Sequence, residues 1–237
     1  MGPAPIPHGV AVSALALLSP NFGERRGGLR PSLIVLHYTA MESCKAALNR
    51  LCDPAAEVSA HYLISESGDV LALVAEDKRA WHAGAGAWRG LDDINSRSIG
   101  IELANRGTEP FAAAQMAALE GVLADVMARW AIAAQGVIAH SDMAPGRKGD
   151  PGARFDWRRL ALAGLSVWPN ESSGGRTADF IAHAHGFGYP DVSADLVLAA
   201  FRLRFRPWAT GPLDAVDAGM IADLADRFGV DATPTLA

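Results

Sequence analysis

Leu33-Ile34-Val35-Leu36-His37-Tyr38-Thr39 is the stretch on which the fold turns. Its apolar residues run without alternation and two of them are β-branched, which suits a central strand covered on both faces. Before it lies a turn-rich run, Asn21 to Pro31. After it, Met41 to Leu51 reads as a short helix. Farther out, Ala60 to Ser65 and Asp69 to Ala75 read as two strands around Glu66-Ser67-Gly68, a hairpin signal. Trp81 to Asn95 is rich in Gly, Trp and Asp without periodicity and reads as a surface loop. Ser98 to Ala104 is another strand. From about Ala112 to Ala131, Met116, Leu119, Leu123, Val126, Met127 and Trp130 fall on one stripe at helical spacing. A short strand, Gly136 to His140, leads into a polar loop from Ser141 to Asp156. Strands interleaved with helices predict an α/β fold, a mixed central β-sheet flanked by helices.

Around Pro169 to Arg176 the character changes to Asn-Glu-Ser-Ser-Gly-Gly-Arg, which is linker composition. The expected organisation is therefore a main domain over 1–168, a linker over 169–176 and a small all-helical module over 177–237. In the module, Thr177 to His185, Val192 to Phe205 and Asp214 to Phe228 read as amphipathic helices, with Phe201, Phe205 and Trp208 in its core.

Composition narrows the class. The chain has 237 residues, half of them hydrophobic, enough to bury a core without disulfide staples. A net charge of −5 with no clustered basic face argues against a nucleic-acid partner. Cys44 and Cys52 sit on one expected helix, where eight residues span about 12 Å at roughly 1.5 Å per residue. A disulfide needs Cα atoms within about 7 Å, so both read as reduced thiols. The apolar run Gly9 to Leu18 is too short to span a bilayer and reads as a short strand or packed arm. It lacks a preceding basic residue and a small-x-small cleavage site, so it does not read as a signal peptide. The expected location is cytoplasmic, with the periplasm open if a leader precedes this sequence. No transmembrane segment is expected, and oligomeric state is not legible.

Chemistry concentrates in few places. His37 ends the buried strand, His140 ends another, and Asp150 lies in Ala144-Pro-Gly-Arg-Lys-Gly-Asp-Pro-Gly152. Two neutral imidazoles and a carboxylate suit catalytic Zn²⁺, which typically takes three protein ligands and keeps a position open. By spacing alone, each histidine reads equally as a hydrogen-bonded core side chain and Asp150 as a turn residue. Glu102 stands out in Ile99-Gly100-Ile101-Glu102-Leu103, where alternation puts it with Gly100 on one face and the apolar residues on the other. A carboxylate in an apolar strand is costly unless a site or solvent holds it. Lys148, read alone, is a solvated loop lysine. His61, in an alternating strand, reads as a packed core histidine.

Taken together, the pieces resemble the zinc-dependent N-acetylmuramoyl-L-alanine amidases, the type-2 amidase and peptidoglycan recognition protein superfamily. The resemblance rests on His37-Tyr-Thr-Ala40, Val58-Ser-Ala-His-Tyr-Leu63, Lys78-Arg-Ala-Trp-His-Ala-Gly84, Asn95-Ser-Arg-Ser-Ile-Gly-Ile-Glu-Leu103, His140-Ser-Asp-Met-Ala-Pro-Gly-Arg-Lys148 and Asp150-Pro-Gly152. These blocks come in the family order and span roughly Ser19 to Trp168. The resemblance implies zinc ligands at His37, His140 and Asp150, a proton-handling carboxylate at Glu102 and a cationic stabiliser at Lys148. It implies that Trp81 to Gly84 borders the substrate cleft, making Trp81 and His82 expected substrate contacts; Trp88 reads either as a further contact lining the cleft or as a cap on its loop. Trp88-Arg-Gly90, Phe201 to Pro207 and Gly211 to Asp217 look like the branch with a C-terminal peptidoglycan-binding-like module. The implied activity is hydrolysis of the amide between N-acetylmuramic acid, intact or 1,6-anhydro, and L-alanine in peptidoglycan or muropeptide fragments. The rival expectations are a non-catalytic peptidoglycan-binding protein of the same superfamily and a zinc peptidase acting on other peptides.

Overall fold

The computed structural model describes residues 19–170 and 174–230. The run Gly9 to Leu18 and residues 171–173 of the expected linker lie outside the described residues. In chain order the first half contains β1 (Phe22–Glu24), β2 (Leu33–Tyr38), α1 (Cys44–Cys52), β3 (Tyr62–Ile64), β4 (Val70–Ala72) and β5 (Lys78–Ala80). Then come α2 (Ile94–Arg97), β6 (Ser98–Leu103), α3 (Ala113–Trp130), β7 (Val137–Ala139), α4 (His140–Met143) and α5 (Trp157–Leu162). The tail is helical: α6 (Phe180–Phe187), α7 (Ala194–Phe205) and α8 (Ala215–Phe228).

The main sheet has the order β4-β3-β6-β2-β7. β2 pairs in parallel with β6 and β7, β3 pairs in parallel with β6, and only β4 runs antiparallel, against β3. It is the mixed sheet flanked by helices that the alternating pattern predicts. Parallel strands must be covered on both faces, and the sequence does this by alternation. Ile34, Leu36, Ile99, Ile101 and Leu103 turn toward α3, where Met116, Leu119, Leu123 and Val126 meet them. Leu33, Val35 and Ile138 turn the other way, toward Phe180, Phe187, Phe201 and Phe205 of the tail. The hydroxyl of Ser43 caps α1 by accepting from the Ala46 amide at 3.2 Å. Cys44 and Cys52 are unpaired thiols at its two ends.

Linker-like composition at 169–176 separates stretches whose buried side chains form one cluster. Arg204 of α7, 1% exposed, pairs with Asp142 of α4 at 2.5 Å and donates to the Val137 carbonyl at 3.0 Å. Its guanidinium lies 4.3 Å from the centre of the Trp157 ring. The Tyr189 hydroxyl donates to the other Asp142 oxygen at 2.8 Å. Phe201 and Phe205 are core residues as expected, whereas Trp208 is 70% exposed. Trp208 lies past the C-terminus of α7, on the surface. Among those residues no helix is long and apolar enough to cross a membrane.

One boundary differs from the sequence reading with a visible cause. Ser141 to Met143 is not loop, because His140 opens a helical turn. Asp142 Oδ2 accepts from the Ala139 amide at 2.9 Å, satisfying a donor that the end of β7 leaves free.

Candidate active site

Parallel pairing brings the chemistry to one edge. In the β2–β6 register His37 stands opposite Glu102, with Val35 opposite Gly100 two residues earlier. Residues so paired point to the same face, so the imidazole and the carboxylate emerge side by side near the carboxyl ends of their strands. β7 flanks β2 on its other side, and His140 follows it directly. The loop after α4 curls back until the Ser141 amide donates to the Asp150 carbonyl at 3.1 Å, which returns the Asp150 side chain to the two histidines.

Three atoms converge there. His37 Nδ1, His140 Nδ1 and Asp150 Oδ2 lie 2.9 Å from one another in each pair. His37 and His140 are 1% and 3% exposed, and Asp150 is 8% exposed. Burial, then the charge of the neighbouring His140, lowers the His37 pKa to about 4. Burial alone would raise Asp150, but the His140 and His37 imidazoles packed against its carboxylate hold it below the usual carboxylate range. His37 is thus neutral at pH 7. His140 Nε2 faces the Ala83 carbonyl at 2.9 Å. A carbonyl only accepts, so a neutral His140 carries its hydrogen on Nε2 and turns a bare Nδ1 inward. Lone-pair donors packed this closely repel unless a proton or cation lies among them. Zinc bonds of about 2.0–2.1 Å, arranged tetrahedrally, separate donors by about 3.3 Å. In donor type, orientation and spacing, the three residues fit a metal ion.

These residues line a cavity of about 440 Å³ together with Tyr38, Met41, Trp81, His82, Glu102 and Lys148. Glu102 is half-buried, and its Oε2 has no hydrogen-bond partner. Burial, then the Asp150 charge, raises its pKa to about 8, opposed by Lys148. The structure therefore brings together every residue expected to hold metal or move protons, with Lys148 exposed at the rim.

The expected substrate contacts divide. Trp81 lines the cavity. His82 lines it too, but its Nδ1 is 3.0 Å from His37 Nε2. Burial, then the charge of His37, lowers the His82 pKa well below its ordinary value. Trp88 is placed elsewhere. It is 1% exposed and packs edge-on against Phe187 and Tyr189 at 5.5 and 5.3 Å, under the tail helices. Its large apolar ring fills the seam between sheet and tail rather than facing the cavity.

Sequence reasoning gave no role to Arg147 or Asn95. Arg147 Nη2 donates to the Ala83 carbonyl at 2.7 Å and also reaches the Ala85 carbonyl. Asn95 Oδ1 accepts from the amides of His82 and Ala83 at 3.0 and 2.8 Å. A usable signal was present for the second: a polar residue abutting an apolar strand needs a buried partner.

Comparison with known proteins finds clear relatives. Residues 27–153 match the family model described as N-acetylmuramoyl-L-alanine amidase. The chain is 36% identical to N-acetylmuramoyl-L-alanine amidase AmiD of Escherichia coli, across 85% of each chain. It is 35% identical to the 1,6-anhydro-N-acetylmuramyl-L-alanine amidase AmpD of Enterobacter cloacae, over 65% of this chain and 91% of that one. The solved structure of E. coli AmiD with anhydro-N-acetylmuramic acid-L-Ala-D-γ-Glu-L-Lys superposes with a TM-score of 0.77 at 33% identity. That likeness covers 89% of this chain and 99% of the other.

Proposed function

The chain belongs to the N-acetylmuramoyl-L-alanine amidase family, and from that premise we propose that it is a zinc hydrolase using His37, His140 and Asp150 as ligands. Its reaction is hydrolysis of the amide joining N-acetylmuramic acid, intact or 1,6-anhydro, to L-alanine in peptidoglycan or muropeptides. The observation that carries this reading is the convergence of three inward-facing donors beside an unpartnered carboxylate in one cavity. A bound zinc ion supplies Lewis acidity toward the carbonyl and acidifies water.

The rest of the chemistry belongs to the protein. Glu102 accepts the proton of the attacking water and returns one to the departing L-alanine nitrogen. Burial keeps its pKa near the operating range, and any cation held at the three donors favours its ionised form. Lys148 places a positive charge where the carbonyl oxygen becomes anionic. Trp81 offers an aromatic wall for the substrate. The proposed compartment is the cytoplasm, and cell fractionation distinguishes it from the periplasm.

The test is digestion of intact and anhydro muropeptides side by side, with and without chelator, read by mass spectrometry. Release of free stem peptide that chelator abolishes and zinc restores is expected. A protein that binds muropeptide but releases nothing in either arm is a non-catalytic binder. Glu102→Gln should keep zinc binding while lowering kcat by about 10²–10⁴. Loss of zinc in that variant would contradict its assignment as the base.

A further inference from the structure

The loop Trp81-His82-Ala83-Gly84 is wired to both imidazoles of the trio, and the wiring can be read from groups whose role is fixed. Carbonyl oxygens accept and never donate. The Ile94 carbonyl accepts from Ser98 Oγ at 2.6 Å, which commits that hydroxyl's hydrogen. Ser98 Oγ can then only accept from His82 Nε2, 3.2 Å away. A neutral His82 with its hydrogen on Nε2 has a bare Nδ1. That atom faces His37 Nε2 at 3.0 Å and must accept from it. His37 is thereby fixed with its hydrogen outward and Nδ1 bare toward Asp150. The next residue along, Ala83, does the same for His140 through its carbonyl at 2.9 Å.

We propose that His82 and Ala83, neighbours on one loop, set the tautomer and ring orientation of both histidine ligands, with His82 a positioning residue for His37. The proposal rests on the zinc reading above. Two further features hold the loop at this task. Asn95 Oδ1 accepts from both loop amides. Gly100, directly below, gives the His82 ring its seat, since a Cβ there would lie 2.4 Å from His82 Cγ. A glycine inside a strand, otherwise unfavourable, marks a close approach of this kind.

The experiment titrates zinc into chelator-stripped wild type, His82→Phe and His82→Asn against a competing chelator, with thermal melts of the metal-free forms as a check on folding. Asparagine keeps an acceptor near the position of Nδ1, and phenylalanine does not. His82→Phe should bind zinc about 10–100-fold more weakly, the effect typical of groups that orient a metal-bound histidine. His82→Asn should stay within a few-fold of wild type. Long-range ¹H–¹⁵N spectra of zinc-loaded wild type should show His37, His82 and His140 all protonated at Nε2, a readout that needs no variant to fold. Equal zinc affinity in wild type and His82→Phe, equal losses in the Phe and Asn variants, or a hydrogen on His37 Nδ1 would each overturn the positioning role. Failure of wild type itself to bind zinc would instead remove the metal reading.

Discussion

Glu102 illustrates what a single unpartnered atom costs and supplies. Its Oε2 is sealed from solvent without a donor, so ionising it in the metal-free protein is unfavourable, and its pKa rises to about 8. In the unfolded chain the same group ionises near its ordinary value of 4.5. Between those values the folded state holds a proton that the unfolded state has lost. Stability of the chelator-stripped protein should therefore be fully present below pH 4.5 and fall as pH rises toward 8, by up to about 1.4 kcal/mol per pH unit from this group. Glu102→Gln cannot ionise, so its metal-free melting temperature should exceed that of wild type at pH 8, with the gap closing near pH 4.5. A gap that widens toward acid would contradict the burial argument. The residue that weakens the empty fold is thus the one proposed as the base.

At the scale of elements, β6 is where structure and chemistry share one backbone. Its Ile99, Ile101 and Leu103 face α3, while Ser98, Gly100 and Glu102 carry one end of the relay, the seat of His82 and the proposed base. Gly100→Ala should displace the His82 ring and weaken zinc binding by about tenfold or more, while the metal-free circular dichroism spectrum stays that of wild type. Zinc titration beside that spectrum checks both halves. The alternation of β6, the unbroken apolar run of β2 and the stripe of α3 were all legible, because burial on one or two faces writes a period into the sequence. β1 and β5 were not: each is three residues long, and Lys78-Arg79-Ala80 has no apolar period. The helix Trp157–Leu162 was not read either, six residues being too few to show a stripe. The proposed ligands and Glu102 were reached through residue type and family resemblance. The relay through Ser98 and His82 was not, because it depends on which ring nitrogen faces which oxygen. Gly100 was its one trace.

Across the whole molecule, the tail and sheet share their interior. Phe180, Phe187 and Phe205 pack on Leu33, Val35, Trp88 and Ile138, and Arg204 carries a charge into that seam to meet Asp142. Removing one partner of a buried pair strands the other, at a typical cost of about 3–5 kcal/mol. Arg204→Met should lose about that much in urea unfolding, and Asp142→Asn in the same background should recover part of it. A loss below about 1 kcal/mol would show that solvent reaches Asp142. The wild-type protein should unfold in one cooperative transition whether followed by the tail's aromatic signals or by the sheet. Asp142 sits on the same short helical turn as His140, which gives that ion pair a consequence for anyone who wishes to miniaturise the enzyme. Excising the last three helices would remove more than bulk: it would leave an anion without its counterion two residues from a proposed ligand. A trimmed version would have to be rebuilt around a neutral residue at 142 before its active centre could be judged.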